Sequence, residues 1–307
     1  MAINPFKAWL LAARPKTLTG AAAPVVVALA AAYRDFGHID YAPGALCLTF
    51  ALLMQIDANF INDYYDFKHG IDDGDRLGPE RACAQGWISP KAMRTGITIT
   101  TILACLAGLP LILWGGWQAV TIGLACVAFA FLYTLLLSRK ALGDVLVLLF
   151  FGIVPVVYTY CFQMQGAGLF SPISNARIFD VPTQVWSLAI AQGLITDCLL
   201  MVNNFRDRTT DRIHGKTTLV TLIGKGATLW LYAWLGIAAV MLTLIDFERG
   251  EPRIEMLPML TFLPIHFVCW YKMKRIDKGK ALNKVLALSA LSISLFALIV
   301  SSCLIFG

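Results

Sequence analysis

The sequence predicts an all-α integral membrane protein, a bundle of nine transmembrane helices. Of its 307 residues, 58% are hydrophobic and only 14% are charged, and the mean hydropathy is +0.69. An ordinary soluble domain has about 25% charged residues, so much of this surface must face lipid. The apolar runs are continuous rather than alternating, which favours helices over the strands of a membrane barrel.

Nine apolar segments define a single transmembrane domain over residues 1–307, and each is near the roughly 20 residues that cross a bilayer core. They cover residues 18–33, 42–61, 97–113, 118–137, 144–164, 185–204, 227–246, 256–271 and 285–306. Eight cysteines are present without a C-x-x-C pair, and the four histidines show no metal-ligand spacing. We therefore expect no thiol or imidazole metal site.

The positions of lysine and arginine support this count and predict an orientation. With nine segments, 21 of the 25 basic residues fall on one side and 4 on the other, whereas an even number of segments would spoil this separation. The basic side of a membrane protein faces the cytoplasm, so the N-terminus is expected inside and the C-terminus outside. The net charge of +6 marks this inner face and predicts no nucleic-acid partner.

Ten of the 19 acidic residues gather in two stretches, at the inner ends of the second and sixth segments. Ionisable residues in so apolar a chain are functional candidates. On a helix, each stretch places its amides and carboxylates on a single stripe. The first stripe consists of Asn59, Asn62, Asp63 and Asp66. The second consists of Asp197, Asn204, Asp207 and Asp211.

Two acidic stripes that face each other would repel unless a cation lay between them. Carboxylate and amide oxygens favour a hard ion, Mg²⁺ or Ca²⁺, and Mg²⁺ commonly bridges carboxylates to the phosphates of a substrate. Basic side chains that could hold a diphosphate flank both stripes. They are Arg76, Arg81, Arg206, Arg208, Arg212 and Lys216.

Both stripes lie in motifs of a known family. Residues 59–78, NFINDYYDFKHGIDDGDRLG, resemble the first aspartate-rich motif of the UbiA superfamily of intramembrane aromatic prenyltransferases. Residues 203–224, NNFRDRTTDRIHGKTTLVTLIG, resemble the second. Their form is similar to the 1,4-dihydroxy-2-naphthoate polyprenyltransferase branch, which acts in menaquinone biosynthesis. Residues 13–18, 77–90 and 142–152 agree with this resemblance.

The resemblance implies the site residues. Catalytic roles are expected for Asp63, Asp66, Asp207, Asp211 and Lys216, with the four aspartates holding Mg²⁺. Substrate-binding roles are expected for Asn59, Asn62, Asp72, Arg76, Arg81, Asn204, Arg206, Arg14, Lys16 and Tyr133. Many superfamily members carry an aspartate where this chain has Gly70, and Asp72 is the nearest replacement.

The implied reaction transfers a polyprenyl group from its diphosphate to 1,4-dihydroxy-2-naphthoate, with loss of CO₂ and diphosphate. Mg²⁺ would neutralise the negative charge that develops on the leaving diphosphate. The expected location is the cytoplasmic (inner) membrane, with the active site on the cytoplasmic side. Membrane lipid would surround the chain, and no protein partner is predicted.

Two alternative functions remain open from the residues alone. The first keeps the same chemistry with another aromatic acceptor, 4-hydroxybenzoate or homogentisate. The second is a cation-coupled transporter, in which carboxylates at a repeat interface bind the coupling ion near the bilayer midplane. The stripes lie at inner helix ends and continue into charged connections, which is untypical of a transporter site.

Overall fold

The computed structural model describes residues 3–70, 77–135, 137, 140–166, 178–246 and 250–307. The chain is almost entirely helical there, apart from one small antiparallel pair, β1 (Ile245–Asp246) and β2 (Glu251–Pro252). The helices are α1 (Pro5–Ala13), α2 (Leu18–Phe36), α3 (Tyr41–Lys68), α4 (Pro90–Gly108), α5 (Ile112–Leu135), α6 (Gly143–Leu148), α7 (Val154–Gly166), α8 (Thr183–Ile213), α9 (Leu219–Leu244), α10 (Leu263–Ile276) and α11 (Leu282–Phe306).

Each of the nine predicted apolar segments is helical over most of its length, so the all-α, multi-span architecture is confirmed, although the seventh segment ends in strand β1. In the described part of the chain, eight helical stretches are long and apolar enough to cross a membrane. One of these, Pro90–Leu135, is 46 residues long and contains the third predicted segment and all but the last two residues of the fourth. Its helix is broken at Gly116, whose φ of 55° and ψ of −150° are not helical. Glycine adopts this conformation without a steric penalty.

Several helices begin at side chains that satisfy the free N–H groups of the first turn. Asp40 accepts a hydrogen bond from the N–H of Ala42 at the start of α3. Ser89 does the same for α4, where Pro90 then occupies the first helical position. Thr218 and Thr221 form a reciprocal capping box at the start of α9. These caps explain why α4 and α9 begin seven and eight residues before their predicted segments at residues 97 and 227.

The centre of the bundle is formed by α8, which packs against α6, α7, α9 and α11, while α2 packs against α3, α7 and α11. Small residues make this close packing possible, as is usual for helices in membranes. A Cβ added to Gly152 would lie 2.5 Å from the carbonyl oxygen of Ala189 and 2.7 Å from the Cα of Gly193. The π-helical turn Leu149–Ile153 therefore lies directly against α8.

Both polar stripes lie at one end of the bundle. Hydrogen bonds at this end join the segments that connect the helices. The N–H of Ala141, before α6, donates to the carbonyl of Thr217, before α9, at 2.9 Å. The amide of Asn283, at the start of α11, donates to the carbonyl of Leu77 at 2.9 Å. These contacts fix the C-terminal ends of α3, α5 and α8 around one polar layer.

Candidate active site

The first stripe begins with Asn59, whose side chain holds the N-terminal segment. Its amide nitrogen donates to the carbonyl of Ala13 at 2.9 Å and to the hydroxyl of Thr17 at 3.0 Å. Arg14 and Lys16 lie between these two contacts, so they are kept at the first-motif end of the bundle. Arg14 ends α1 with a φ of 51°, and Lys16 is exposed. Asn59 itself is 3% exposed, and its contacts are with the fold.

Asp63 is 1% exposed, and both of its carboxylate oxygens accept backbone hydrogen bonds. The N–H of Ala82 donates at 2.8 Å and the N–H of Cys83 at 2.9 Å. This carboxylate therefore fixes the turn that follows the first motif, a contact that sequence spacing cannot reveal. The turn carries Arg81, which is 5% exposed.

Asp66 is the outermost member of the first stripe. One of its oxygens accepts a hydrogen bond from Arg81 at 2.6 Å, and its side chain keeps 23% of its surface exposed. The backbone turn that Asp63 holds thus places the guanidinium of Arg81 beside Asp66, which follows Asp63 by one helical turn on α3. A partly exposed ion pair of this kind can bind an incoming phosphate and a cation together.

Arg206, next to Asp207 of the second stripe, forms its contacts with other residues of the folded protein. It is 2% exposed, and its guanidinium forms two hydrogen bonds to Asp207, at 2.8 and 2.6 Å. Further nitrogens donate to Asn283 at 2.7 Å and to Asn203 at 2.8 Å. Arg206 was predicted to bind substrate, and the structure shows it joining α8 to α11.

Asp211 ends the second stripe and lies beside Lys216, with 3.6 Å between Oδ1 and Nζ. The N–H of Lys216 donates to the carbonyl of Asp211 at 2.8 Å, which brings the lysine back over the helix end. The second oxygen, Oδ2, is buried and has no hydrogen-bond partner in the described part of the chain. Asn204, two turns earlier, is also buried. An unpaired buried carboxylate oxygen is costly and suits a cation ligand.

Tyr133, at the end of α5, lies between the two stripes. Its hydroxyl is within electrostatic range of Asp66 from the first stripe and of Asp211 from the second. One residue on, the hydroxyl of Thr134 donates to the side chain of Asn62 at 2.8 Å. The end of α5 thus contacts the first stripe through Thr134 and lies within electrostatic range of the outer carboxylates of both stripes.

An apolar cavity of about 390 Å³ leads away from this place. Asn62 and Tyr133 line its polar end, and the rest of its wall is formed by α2–α7. Its lining on α3 runs from Asn62 back to Cys47, about 22 Å along the helix axis. Phe50, Phe150 and other aromatic side chains face it. A cavity of this shape suits a long apolar chain whose polar head lies at the carboxylates.

The structure describes some of the remaining predicted site residues and not others. Asp72 and Arg76 lie outside the described residues. Among residues that are described, no three carboxylate, imidazole or thiol side chains lie close enough together to hold one metal ion. The four predicted metal ligands thus do not form a closed cluster, since Asp63 and Asp207 are engaged by the fold. Their role as ligands stays a prediction.

Two carboxylates near Tyr133, one half-buried and one buried, were not among the predicted site residues. Asp144 is the second residue of α6, and Asp197 lies in the middle of α8. Asp197 had been noted only as the start of the second stripe. The signal for Asp144 was present, because a lone acidic residue at the start of an apolar segment is a functional candidate.

Comparison with known proteins assigns the class. The model of the UbiA prenyltransferase family matches residues 21–302, so the chain belongs to this family. It is 35% identical over 234 residues to 1,4-dihydroxy-2-naphthoate octaprenyltransferase of Escherichia coli, covering 73% of this chain and 70% of that protein. It is 32% identical over 246 residues to the enzyme of the same name from Mycobacterium tuberculosis, covering 78% of each.

Solved structures share the fold. A UbiA homologue from Aeropyrum pernix K1 superposes with a TM-score of 0.70 at 16% identity, covering 94% of this chain and 96% of that one. A UbiA homologue from Archaeoglobus fulgidus, bound to DMAPP and Mg²⁺, superposes with a TM-score of 0.59 at 15% identity, covering 96% and 99%. The agreement extends over nearly the whole bundle.

Proposed function

We propose that this chain transfers a polyprenyl group from polyprenyl diphosphate to 1,4-dihydroxy-2-naphthoate, with loss of CO₂ and diphosphate, giving demethylmenaquinol for menaquinone biosynthesis. The observation that carries the proposal is the position of Tyr133, which lines a long apolar cavity and lies within electrostatic range of Asp66 and Asp211. The names of the bacterial relatives support the choice of acceptor.

The donor set fits Mg²⁺, which prefers oxygen ligands and usually retains open positions for substrate phosphate. The buried Oδ2 of Asp211 is without a partner in the described chain, and Asp66 is partly exposed. We propose these two as the principal ligands, with Asp63 and Asp207 behind them as positioning residues. Mg²⁺ bound there would supply positive charge to the leaving diphosphate.

The chain's own residues complete the site. Lys216 and Arg81 lie beside Asp211 and Asp66 and would donate charge-assisted hydrogen bonds to the diphosphate oxygens. The cavity excludes water from the allylic carbon, which suppresses hydrolysis, and the face of Tyr133 would steady positive charge on that carbon. Arg14 and Lys16 are placed to meet the carboxylate of the acceptor. Asp72 and Arg76 are kept as expected substrate contacts of the first motif.

We further propose nine membrane crossings with the N-terminus inside. The 46-residue stretch Pro90–Leu135 would cross twice, turning back at Gly116, because α4 and α5 contact each other and both pack against α3. With that turn, the basic residues divide as 21 to 4, which favours an active site on the cytoplasmic side of the inner membrane.

The test is turnover of purified protein in detergent with Mg²⁺, a polyprenyl diphosphate and 1,4-dihydroxy-2-naphthoate. We expect Asp66→Ala and Asp211→Ala each to lower kcat by at least about 100-fold, as loss of a preorganised charge does in other active sites. Glu80→Gln, an exposed carboxylate on the same face, is the matched control and should retain activity. EDTA should abolish turnover and added Mg²⁺ should restore it.

The mass of the product identifies the acceptor. A prenylated naphthoate product that has lost the mass of CO₂ supports the proposed acceptor. If product forms only from 4-hydroxybenzoate or homogentisate, that compound is the acceptor instead. Near-normal turnover in both alanine variants would overturn the assignment of Asp66 and Asp211. Mg²⁺ uptake into vesicles without diphosphate release would favour a transporter.

A further inference from the structure

Asp144 on α6 and Asp197 on α8 both belong to the close interface between these two helices. Helix α6 runs antiparallel to α8, because Gly152 packs on Ala189 and Gly193, Leu148 packs on Gly193, and Gly143 packs near Leu200. Asp197 lies one turn along α8 from Gly193, and Asp144 lies two turns back from Gly152. The glycine contact therefore fixes both carboxylates in one interface.

Among the described residues, no cation compensates either carboxylate. The Oδ1 atoms of Asp144 and Asp197 are both buried and have no hydrogen-bond partner in this part of the chain, and Asp197 is 5% exposed. No lysine or arginine in the described ranges pairs with either residue, and Asp144 lies within electrostatic range of Asp197. Like charges in one poorly solvated helix interface repel, which favours a state in which the pair retains one proton.

The pair connects to the proposed active site through Tyr133. A Cβ on Gly143, the residue before Asp144, would lie 3.6 Å from the Tyr133 hydroxyl. Asp144 and Asp197 are the strongest electrostatic neighbours of that hydroxyl, ahead of Asp66 and Asp211. Cys198, the next residue along α8, lies within electrostatic range of Asp197. Because Tyr133 also lines the cavity, its hydroxyl connects the pair to the space proposed for the acceptor.

We propose that Asp144 and Asp197 share one proton and act through the Tyr133 hydroxyl as the proton store for the aromatic acceptor. The inference rests on the proposed function. A ring carbon forms a bond to the allylic carbon while the carbon–oxygen bond to diphosphate breaks, its electron pair passing to the diphosphate oxygen. The adjacent ring hydroxyl gives its proton to Tyr133, which passes its own proton to the pair.

Loss of CO₂ then leaves its bonding electrons on the ring, and the ring oxygen takes the proton back by the same route. The pair ends as it began, with one proton, and no further reactant is consumed. Asp144 and Asp197 are positioning residues in this scheme, since only Tyr133 touches the acceptor. A general acid–base relay of this kind contributes about 100-fold or more to a rate.

The first test needs no substrate. Infrared spectra of the purified protein at neutral pH should contain a protonated-carboxyl component that either D144N or D197N removes completely. The double variant should lose no more than either single variant, because one proton is shared. D57N is the matched control: Asp57 is also a fully buried carboxylate with an unpartnered Oδ1 among described residues, but it contacts Thr101 on α4. The component should survive in D57N.

The second test is kinetic. D144N and D197N should each lower kcat by about 100-fold with little change in KM for the prenyl diphosphate. The acid limb of the pH–rate profile should move to higher pH, because the remaining carboxylate has lost the protonated partner that stabilises its charge in the pair. D144E should restore part of kcat, and Y133F should lower kcat to a similar extent. D57N should leave the profile unchanged.

The two tests separate the inference from the function on which it rests. Unchanged infrared spectra in both single variants, or additive losses in the double variant, would overturn the shared proton. A normal kcat and pH profile in D144N and D197N would overturn the relay. A wild-type protein that forms no product from any aromatic acceptor would overturn the proposed function, and the infrared result would still decide the shared proton.

Discussion

The ends of α3 and α8 carry similar polar stripes, yet they use opposite residues to hold the fold together. At the end of α3, the amide of Asn59 and the carboxylate of Asp63 bind backbone groups of neighbouring segments. At the end of α8, arginines do this work: Arg206 reaches α11, and Arg208 reaches the connection after α10. The acidic side chain of Asp211 is left with an unpartnered oxygen among described groups. The residue type at a motif position therefore does not determine whether that residue stabilises the fold or is available to bind a ligand.

The largest effect is expected from removing the arginine that holds the end of α8. Arg206→Ala removes a buried guanidinium, leaves the partly exposed Asp207 without its cation and breaks the contact with Asn283, so we expect a loss of about 3 kcal/mol in the free energy of unfolding. Denaturant unfolding in detergent measures it. Arg212→Ala, an exposed arginine of the same helix end, is the control and should change stability little. A small effect of Arg206→Ala would show that this arginine does not hold the end of α8 in place.

A somewhat smaller effect is expected at the end of α3. Asp63→Ala leaves the N–H groups of Ala82 and Cys83 unpaired in a buried turn, at a cost of about 2–3 kcal/mol. The turn should also open locally, exposing Cys83, which is 3% exposed in the folded protein. Thiol labelling of Cys83 in the variant and the wild type tests this. Equal labelling rates would show that Asp63 does not hold the turn.

Asp211 should behave in the opposite way to Asp63. Asp211→Asn removes a poorly compensated buried charge, so the free energy of unfolding should stay within about 1 kcal/mol of the wild type or rise. Activity should nevertheless be lost, as proposed for a cation ligand. Unfolding and turnover are measured on the same preparation. A large loss of stability would mean that both stripes serve the fold in the same way.

Much of the fold follows from the sequence, because the lipid solvent makes apolar length and basic charge strong signals. All nine predicted segments are helical over most of their length, and both stripes lie at one end. What sequence spacing cannot supply is the partner of each polar group. The carboxylate of Asp63 binds a turn 19 and 20 residues further along, and Arg206 turns onto the adjacent Asp207. Asp144 becomes part of the site only through the contact between Gly152 and Gly193.

The smallest effect concerns the outer edge of the α8 end and depends on pH. Arg208 and Lys225 lie 2.6 and 3.0 Å from a carboxylate oxygen of Asp277. Burial alone would raise the pKa of the Asp277 carboxyl, but these two cations outweigh it and hold the pKa below its usual value. The pair therefore stabilises the protein above the usual carboxyl range, and this contribution is lost as the pH falls through the lowered pKa.

Asp277→Asn tests this contribution without changing the shape of the side chain at a residue whose φ is 65°, because asparagine and aspartate have nearly the same size. The ion pairs are partly exposed, so the loss at neutral pH should be under about 1 kcal/mol. The difference in Tm between variant and wild type should shrink toward zero as the pH is lowered, and should also shrink in high salt. A difference that persisted at low pH would trace to packing of Asp277 rather than to its charge. The arginine-held end of α8 would then depend on Arg206 and on the backbone contact of Arg208, since the carboxylate would contribute nothing.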